Sequence, residues 1–468
     1  MISLNEAEKA TYVRFADKAL PRHTSYPMVP VWKSDTGGPG YRQALQRSAA
    51  AGRDLSLYVH IPWCRQLCYY CGCNKIIWDE VSRAKKDPVP PYLEAMAKEV
   101  AMVAAVTGKR PVRQVHFGGG SPTYLHPHQL TELFQILRSH FQVMPDAEIS
   151  VEVDPRVTTP EHLTALKAAG VNRISFGVQD FNEKVMEAVN RHQPYELVRD
   201  FLQEVRRTDL GQVNFDLIYG LPFQTVESMA RTLDQVVELA PDRIAYFRLA
   251  VIPELFKWQR RFQKKDLPER DESLQLMLLA WNRLLDAGYE FIGLDHFARP
   301  DDMLTRARDD EVMIRTFQGM TTGKSLDIIG FGPSAISILD DAFAQNVKDT
   351  GQWLKLVEEG FATDKGMHLS EDDKIRREAL QQLYGHGRID LERLSQAFSM
   401  DAAGYFAAEW RVLDELQELG LVHKEPGRMT LTEPLGRLLV RVVAAVFDAW
   451  LPADTWKNGM TTGASKIG

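Results

Sequence analysis

The chain contains four cysteines, and all of them fall within ten residues: Cys64, Cys68, Cys71 and Cys73. A secreted disulfide scaffold spreads its cysteines to close loops, and a chain in a reducing compartment does not rely on disulfides. Thiols this close together are read as soft-metal ligands. Structural zinc takes two ligand pairs separated by a longer stretch, which this sequence does not offer. An iron–sulfur cluster accepts several thiolates from one short loop. The run Cys64-Arg-Gln-Leu-Cys68-Tyr-Tyr-Cys71 has C-x3-C-x2-C spacing, with Cys73 two residues on. Three thiolates hold three corners of a four-iron cube and leave the fourth iron open to a small molecule, as a catalytic zinc keeps one open position. With Cys73 as a fourth ligand, the chain would instead be a ferredoxin-like electron carrier without substrate machinery.

Such a loop needs a scaffold, and the sequence provides one. Leu55 to Ile61 runs straight into the cysteines, and further β-branched runs follow at 112–117, 147–153, 172–178, 214–219 and 243–247. Between them, Tyr92 to Val106, Leu197 to Arg207 and Val226 to Leu239 carry apolar residues at helical spacing. Strands alternating with helices imply an α/β fold with a parallel sheet covered by helices. The six units predict a partial (β/α)6 barrel, with its site at the C-terminal ends of the strands. Several polar residues sit at those ends: Ser121 after Gly118-Gly-Gly120, Glu152, Asp154 and Arg156, Gln179 and Asp180, and Asp216 ahead of Gly220-Leu-Pro222. Each alone reads as a cap or turn residue. Together they line one rim.

Three regions are expected: an N-terminal segment 1–50, a barrel domain 51–364 and a mainly α-helical C-terminal domain 365–468. Pro21 to Pro27 reads as extended from its flanking prolines. In the last region Glu371 to Leu383, Leu391 to Phe398 and Ala408 to Leu419 read as helices, and 420–431 as a hairpin, in winged-helix-like order. From Glu371 to Trp450 there are 10 Lys+Arg against 14 Asp+Glu, a net of -4. The whole chain has 56 against 63, net -7. Neither balance suits a nucleic-acid partner. A lid or partner surface is expected of the C-terminal domain. The run Arg83 to Asp87 reads as solvated loop. No stretch approaches the ~20 apolar residues of a membrane span; Leu438 to Leu451 is interrupted by Arg441 and Asp448. The first residues lack a basic stretch followed by an apolar one, so a cytoplasmic protein is expected; a monomer is expected as well.

The cysteine run followed by the glycine loop resembles the signature of radical S-adenosylmethionine (SAM) enzymes. The resemblance implies that SAM chelates the fourth iron through its amino and carboxylate groups. Reduction of the cluster then cleaves it to methionine and a 5′-deoxyadenosyl radical. Longer matches run along the chain: 21–27, 56–64, Cys71 to Lys75, Glu148 to Arg156, Gly177 to Phe181, Asn190-Arg191, Asp216 to Pro222, Asp295 to Asp302 and Phe317 to Thr322. These resemble the bacterial oxygen-independent coproporphyrinogen III oxidases. That likeness implies a barrel of the radical SAM type, with Cys64, Cys68 and Cys71 on a [4Fe-4S] cluster and Cys73 left out. It implies two SAM molecules. The first would touch Tyr58, Gly119, Glu152 and Ile336. The second would touch Tyr70, Gly120, Ser121, Gln179, Arg191, Asp216 and Ala250.

The implied reaction is oxidative decarboxylation of coproporphyrinogen III to protoporphyrinogen IX in haem and porphyrin biosynthesis, with an electron donor and an electron acceptor. No catalytic residue is assigned. Arg22, Arg191, Arg248 and Arg299 are candidates to meet the four substrate carboxylates, because guanidinium pairs bidentately with carboxylate. Phe247-Arg-Leu-Ala-Val-Ile-Pro253 departs from the family's usual Asn-Tyr-Ala-His pattern, Ser121 stands where Thr is common, and the loop after Lys75 is long. Relatives of the family act on other tetrapyrroles, transfer methyl groups or carry haem as chaperones. The Pro-Arg-x-Thr-Ser-Tyr-Pro segment favours the enzyme.

Overall fold

In a computed structural model, residues 2–34, 38–79, 87–323, 326–460 and 465–467 are described. The six apolar runs form parallel strands β1 (Leu55–Ile61), β2 (Pro111–Gly119), β3 (Gln142–Val153), β4 (Arg173–Gln179), β5 (Gln212–Tyr219) and β6 (Arg243–Arg248). They pair in chain order. All seven residues of β1 are buried, as for a strand covered on both faces.

The sheet extends beyond these six. At one edge β7 (Glu290–Gly293) and β8 (His296–Ala298) form a hairpin whose second strand lies antiparallel to β6. At the other, β9 (Asp327–Phe331) pairs parallel with β1, and antiparallel β10 (Ile336–Ile338), β11 (Ala342–Asn346) and β12 (Thr363–His368) follow. The result is one twelve-stranded sheet. These added strands are three to six residues long, too short for a periodic signal. β12 crosses the 364/365 division.

Helices Val89–Thr107, Pro127–His140, Tyr195–Arg207 and Val226–Leu239 cover the sheet. The last starts at Thr225, whose side chain accepts from the Ser228 amide, and stops at Ala240 in a left-handed conformation. Its Met229, Leu233 and Val236 join Phe117, Phe176 and Phe215 in the main core. Burying each large apolar side chain contributes roughly 1.5–3 kcal/mol.

A second core unites the two ends of the chain. Tyr12 and Phe15, from helix Glu6–Ala16, pack with Leu383, Leu413, Leu439, Val443 and Trp456. The N-terminal segment therefore shares its core with the C-terminal region. There, Arg388–Asp390, Arg428–Leu431 and Val422–Glu425 form a three-stranded sheet against helices Glu371–His386, Leu391–Phe398 and Ala407–Glu418. The apolar run after Leu438 supplies the buried helix Val440–Val446. Its Arg441 is buried too, donating to the carbonyls of Leu20, Pro21 and Ser465.

The segment 21–27 is not simply extended: it bends over 24–27, and His23 has φ +43°. The bend lets buried His23 reach the Tyr384 hydroxyl and Asp448 Oδ2, both at 3.0 Å. Arg83 to Lys86 lie outside the described residues. Among the described residues no helix is long and apolar enough to cross a membrane.

Candidate functional site

The C-terminal end of β1 leads through Trp63, which is buried edge-on against Tyr92. A two-residue ribbon closes the base of the cysteine loop: Ile76 donates to Pro62 O at 2.6 Å and Trp78 to Cys64 O at 2.9 Å. The loop is also pinned from the side, where Tyr69 donates to Val189 O at 2.9 Å.

The glycines after β2 are more than a turn. Gly119 has φ +107°, and a Cβ there would lie 2.5 Å from the His60 ring. A Cβ on Gly120 would meet Trp63 O at 2.6 Å and Ile61 O at 2.8 Å. Without side chains, the Gly120 amide donates to Ile61 O and the Ser121 amide to Trp63 O, at 2.7 and 2.8 Å. Only glycine permits this approach, which sets the loop against the cysteines.

Between the two loops lies a cavity of about 330 Å³. Cys64, Cys68, Cys71 and Cys73 line it, and so do Tyr70, Gly119, Gly120, Ser121, Glu152, Gln179, Arg191 and Asp216. Tyr58, Ala250 and Ile336 do not. Tyr58 stacks on His116, with centroids 5.9 Å apart, and His116 Nε2 is 3.2 Å from Glu152 Oε1. The Ala250 carbonyl accepts from Gln259 Nε2 at 2.9 Å, and that nitrogen lies 3.4 Å from Tyr70 O. Ile336 opens β10 and packs beside Trp32 and Phe343.

Three buried polar atoms among these residues lack any hydrogen-bond partner: Ser121 Oγ, Gln179 Oε1 and Arg191 Nε. Buried polar groups are nearly always satisfied. Orphans gathered in one cavity mark a place for a polar ligand. Gln179 also has φ +67°, a conformation that costs a non-glycine residue roughly 1–3 kcal/mol and clusters at functional sites.

Charge is arranged around the thiols. Arg191 is held by Gly177 O at 2.7 Å and Gln193 Oε1 at 2.8 Å, with Nη1 3.8 Å from Cys68 Sγ. Arg156 reaches Cys68 Sγ at 3.9 Å and pairs bidentately with Asp154. Two guanidiniums thus stand beside the Cys68 sulfur. Burial raises Asp154, but Arg191 and Arg156 outweigh it and bring its carboxyl to about 2. Burial, and then the charge of Glu152, push Asp216 up to about 6. Burial drives the Cys64 thiol up to about 12; a thiolate there calls for a bound cation.

Among the described residues no three His, Cys, Asp or Glu side chains converge on a single metal ion. Four thiols on one loop, at the wall of a cavity whose residues carry unsatisfied donors and acceptors, fit a polynuclear iron–sulfur cluster with a small polar ligand beside it.

Polar residues recur at period two along the strands: Tyr58 and His60; Ser150 and Glu152; Ser175, with Gln179 beyond a register shift; Asn214 and Asp216. His60, His116 and Ser175 were missed by reading strand ends alone, although this alternation could have found them. Among the candidate arginines, Arg22 and Arg248 meet at the end of β6. Arg299 does not join them. Its amide donates to Asp242 O, at the opposite end of that strand, and its guanidinium lies 4.5 Å over Tyr289.

The Radical SAM superfamily profile matches residues 58–236. The oxygen-independent coproporphyrinogen III oxidase of Escherichia coli is 42% identical over 432 residues, covering 92% of this chain and 93% of that protein. That of Pseudomonas aeruginosa is 40% identical, covering 95% and 96%. The solved structure of coproporphyrinogen III oxidase from Escherichia coli, described as a radical SAM enzyme, superposes with a TM-score of 0.87, 42% identity and coverage of 92% and 98%. With this likeness over more than nine-tenths of the chain, the chain belongs to the oxygen-independent coproporphyrinogen III oxidases, a family of radical SAM oxidoreductases whose match implies a [4Fe-4S] cluster and SAM.

Proposed function

We propose that the chain removes carbon dioxide oxidatively from two propionate side chains of coproporphyrinogen III, leaving the vinyl groups of protoporphyrinogen IX. The observation that carries this reading is the trio of unsatisfied buried atoms on Ser121, Gln179 and Arg191, three residues in the wall of the cavity that the thiols line. Cys64, Cys68 and Cys71 would hold the cluster. Two SAM molecules would share the site, the first at Tyr58, Gly119, Glu152 and Ile336, the second at Tyr70, Gly120, Ser121, Gln179, Arg191, Asp216 and Ala250. When bound, the cluster and SAM supply a 5′-deoxyadenosyl radical.

The chain's own residues contribute position and charge. The bare glycine backbone admits close approach. Glu152 and Asp216 can accept from ribose hydroxyls, and Arg191 can pair with a carboxylate. Arg22 and Arg248, at the end of β6, would receive substrate propionates. Each decarboxylated side chain gives up one hydrogen atom, one carbon dioxide and one electron, the last to an external acceptor, while a donor reduces the cluster. A radical that attacks any nearby C–H bond must meet one chosen hydrogen in a dry pocket. The C-terminal region is the proposed lid, and the protein the proposed monomer of the cytoplasm.

The test is anaerobic incubation of the reconstituted, reduced protein with SAM, with and without coproporphyrinogen III. Protoporphyrinogen IX and carbon dioxide are expected. SAM cleavage without carbon dioxide would point to another tetrapyrrole or to methyl transfer, and no SAM cleavage at all to a haem chaperone.

A further inference from the structure

The stretch Lys257-Trp-Gln-Arg-Arg-Phe-Gln-Lys-Lys265 carries five cations in nine residues and no acid, in a chain of net charge -7. Lys257, Arg260, Arg261, Lys264 and Lys265 are all exposed. None makes an ion pair among the described residues. The stretch also forms the outer wall of the cysteine loop. Arg261 Nη1 donates to the Tyr69 hydroxyl at 2.9 Å with its guanidinium 4.5 Å over the ring, and Lys75 Nζ lies 4.3 Å over Trp258. Phe256 packs so closely on Gly72 that a Cβ there would lie 3.0 Å from its ring. Beside the cations, Leu255 is 64% exposed and Val251 40%.

We infer that this face docks an acidic one-electron carrier protein, the donor that reduces the cluster. The inference rests on the reading that the cysteine loop holds a cluster, and not on the identity of the tetrapyrrole. A cluster behind this wall must receive its electron from outside. Exposed cations next to exposed apolar side chains suit a transient redox encounter, where opposite charge speeds association and the interface stays small. One electron leaves the reduced carrier and enters the cluster, and no bond forms or breaks. Arg261 is held by Tyr69, whereas Lys257, Arg260, Lys264 and Lys265 have no ion pair to lose and can serve association alone.

The test follows bleaching of the cluster's visible absorbance in reconstituted protein mixed with reduced ferredoxin, a small acidic carrier, without SAM or substrate. The variant carries Lys257→Glu, Arg260→Glu, Lys264→Glu and Lys265→Glu. At low salt its second-order rate should fall at least about tenfold, with ferredoxin affinity for the protein falling in parallel. Photoreduced deazariboflavin, small and neutral, should reduce both proteins equally. The wild-type rate should drop steeply between about 0.01 and 0.5 M salt as the Debye length shrinks from ~30 Å toward a few ångströms. Equal ferredoxin rates in the two proteins would overturn the inference. If both reductants slow, the swap has disturbed the cluster, and a wild-type rate indifferent to salt then overturns it. Charge-dependent binding to phosphatidylglycerol vesicles without any effect on ferredoxin would overturn it in favour of a lipid surface. Failure here leaves the coproporphyrinogen reading standing; a chain that reconstitutes no cluster overturns both.

Discussion

Arg22 donates from Nη2 to the main-chain carbonyl of Arg248, 3.2 Å away and 226 residues along the chain. The bond ties the N-terminal segment to the C-terminal end of β6, one residue beyond Phe247 at the cavity wall. Arg315 donates to Arg22 O at 2.9 Å, and Arg441 to Pro21 O at 3.1 Å. Burial, followed by the charge of Arg22, pulls Arg441 down to about 9. The acids nearby are few: Asp295 stands 3.8 Å from Arg22, and Asp448 is taken by His23. This corner carries more cation than its own carboxylates answer, which suits a ligand bearing several carboxylates.

Arg248 is the informative member, because no hydrogen bond or ion pair holds its guanidinium among the described residues. A charge-assisted hydrogen bond to a carboxylate is worth about 1.5–3 kcal/mol. Arg248→Ala should therefore weaken coproporphyrinogen III binding roughly 10- to 100-fold. SAM cleavage in the absence of substrate should stay near the wild-type rate. Titration of substrate against both proteins checks this, and unchanged affinity would remove Arg248 from the carboxylate site.

The four thiols should separate into three and one. Cys64→Ser, Cys68→Ser or Cys71→Ser should each abolish the iron–sulfur absorbance, since the soft thiolate is the required donor. Cys73→Ser should retain it. Cys73 is the exposed member of the four, and its interaction with the neighbouring thiol holds Cys71 low and Cys73 high. Iron and sulfide content of each purified variant decides; loss on Cys73→Ser with retention on Cys71→Ser would reverse the assignment.

The six parallel strands and the rim residues were legible because both signals are local. β-branched runs report burial on two faces, and a polar residue interrupting such a run at a strand end reports the site. Thus Glu152, Gln179 and Asp216 could be found from strand position, and Gly119 and Gly120 from the run of glycines. The added edge strands were not legible: β9, five residues, reaches β1 only after a long excursion. Nor was the shared core of the two termini, since Phe15 meets Trp456 only through the fold. Arg299 misled because its place in the stretch Asp295 to Asp302 says nothing of which end of β6 that arginine meets.

Gly120→Ala should keep the cluster and lose SAM binding. Its Cβ would press on the carbonyls of Ile61 and Trp63, which are backbone atoms and cannot swing aside. The loop must then retreat from the cysteines, carrying Ser121 with it. Equilibrium dialysis of SAM against the reconstituted variant measures the loss, expected to be at least tenfold if about 1.4 kcal/mol of contact is removed. Wild-type affinity would show that the glycine serves folding alone.

Glu99 offers a test of the fold's response to pH. It is buried on the helix Val89–Thr107 and accepts from the Gly332 amide at 2.8 Å, Asn346 Nδ2 at 2.7 Å and Trp353 Nε1 at 3.3 Å. Those bonds join the helix to the segment after β9, to the end of β11 and to the helix Thr350–Glu359. Burial pushes the carboxyl from 4.5 up to about 7, against the pull of its three donors. A raised value means that the fold keeps this proton through a range in which the unfolded chain has released it. The contribution is therefore complete below about 4.5, and rising pH removes it progressively until the folded carboxyl ionises near 7. At 1.36 kcal/mol per unit the total is about 3 kcal/mol at most. Glu99→Gln cannot titrate, so between pH 5 and 8 its stability should gain on the wild type by up to about that amount. Urea unfolding of both proteins across that range measures the difference, and parallel pH profiles would show that Glu99 is already ionised in the fold at pH 5.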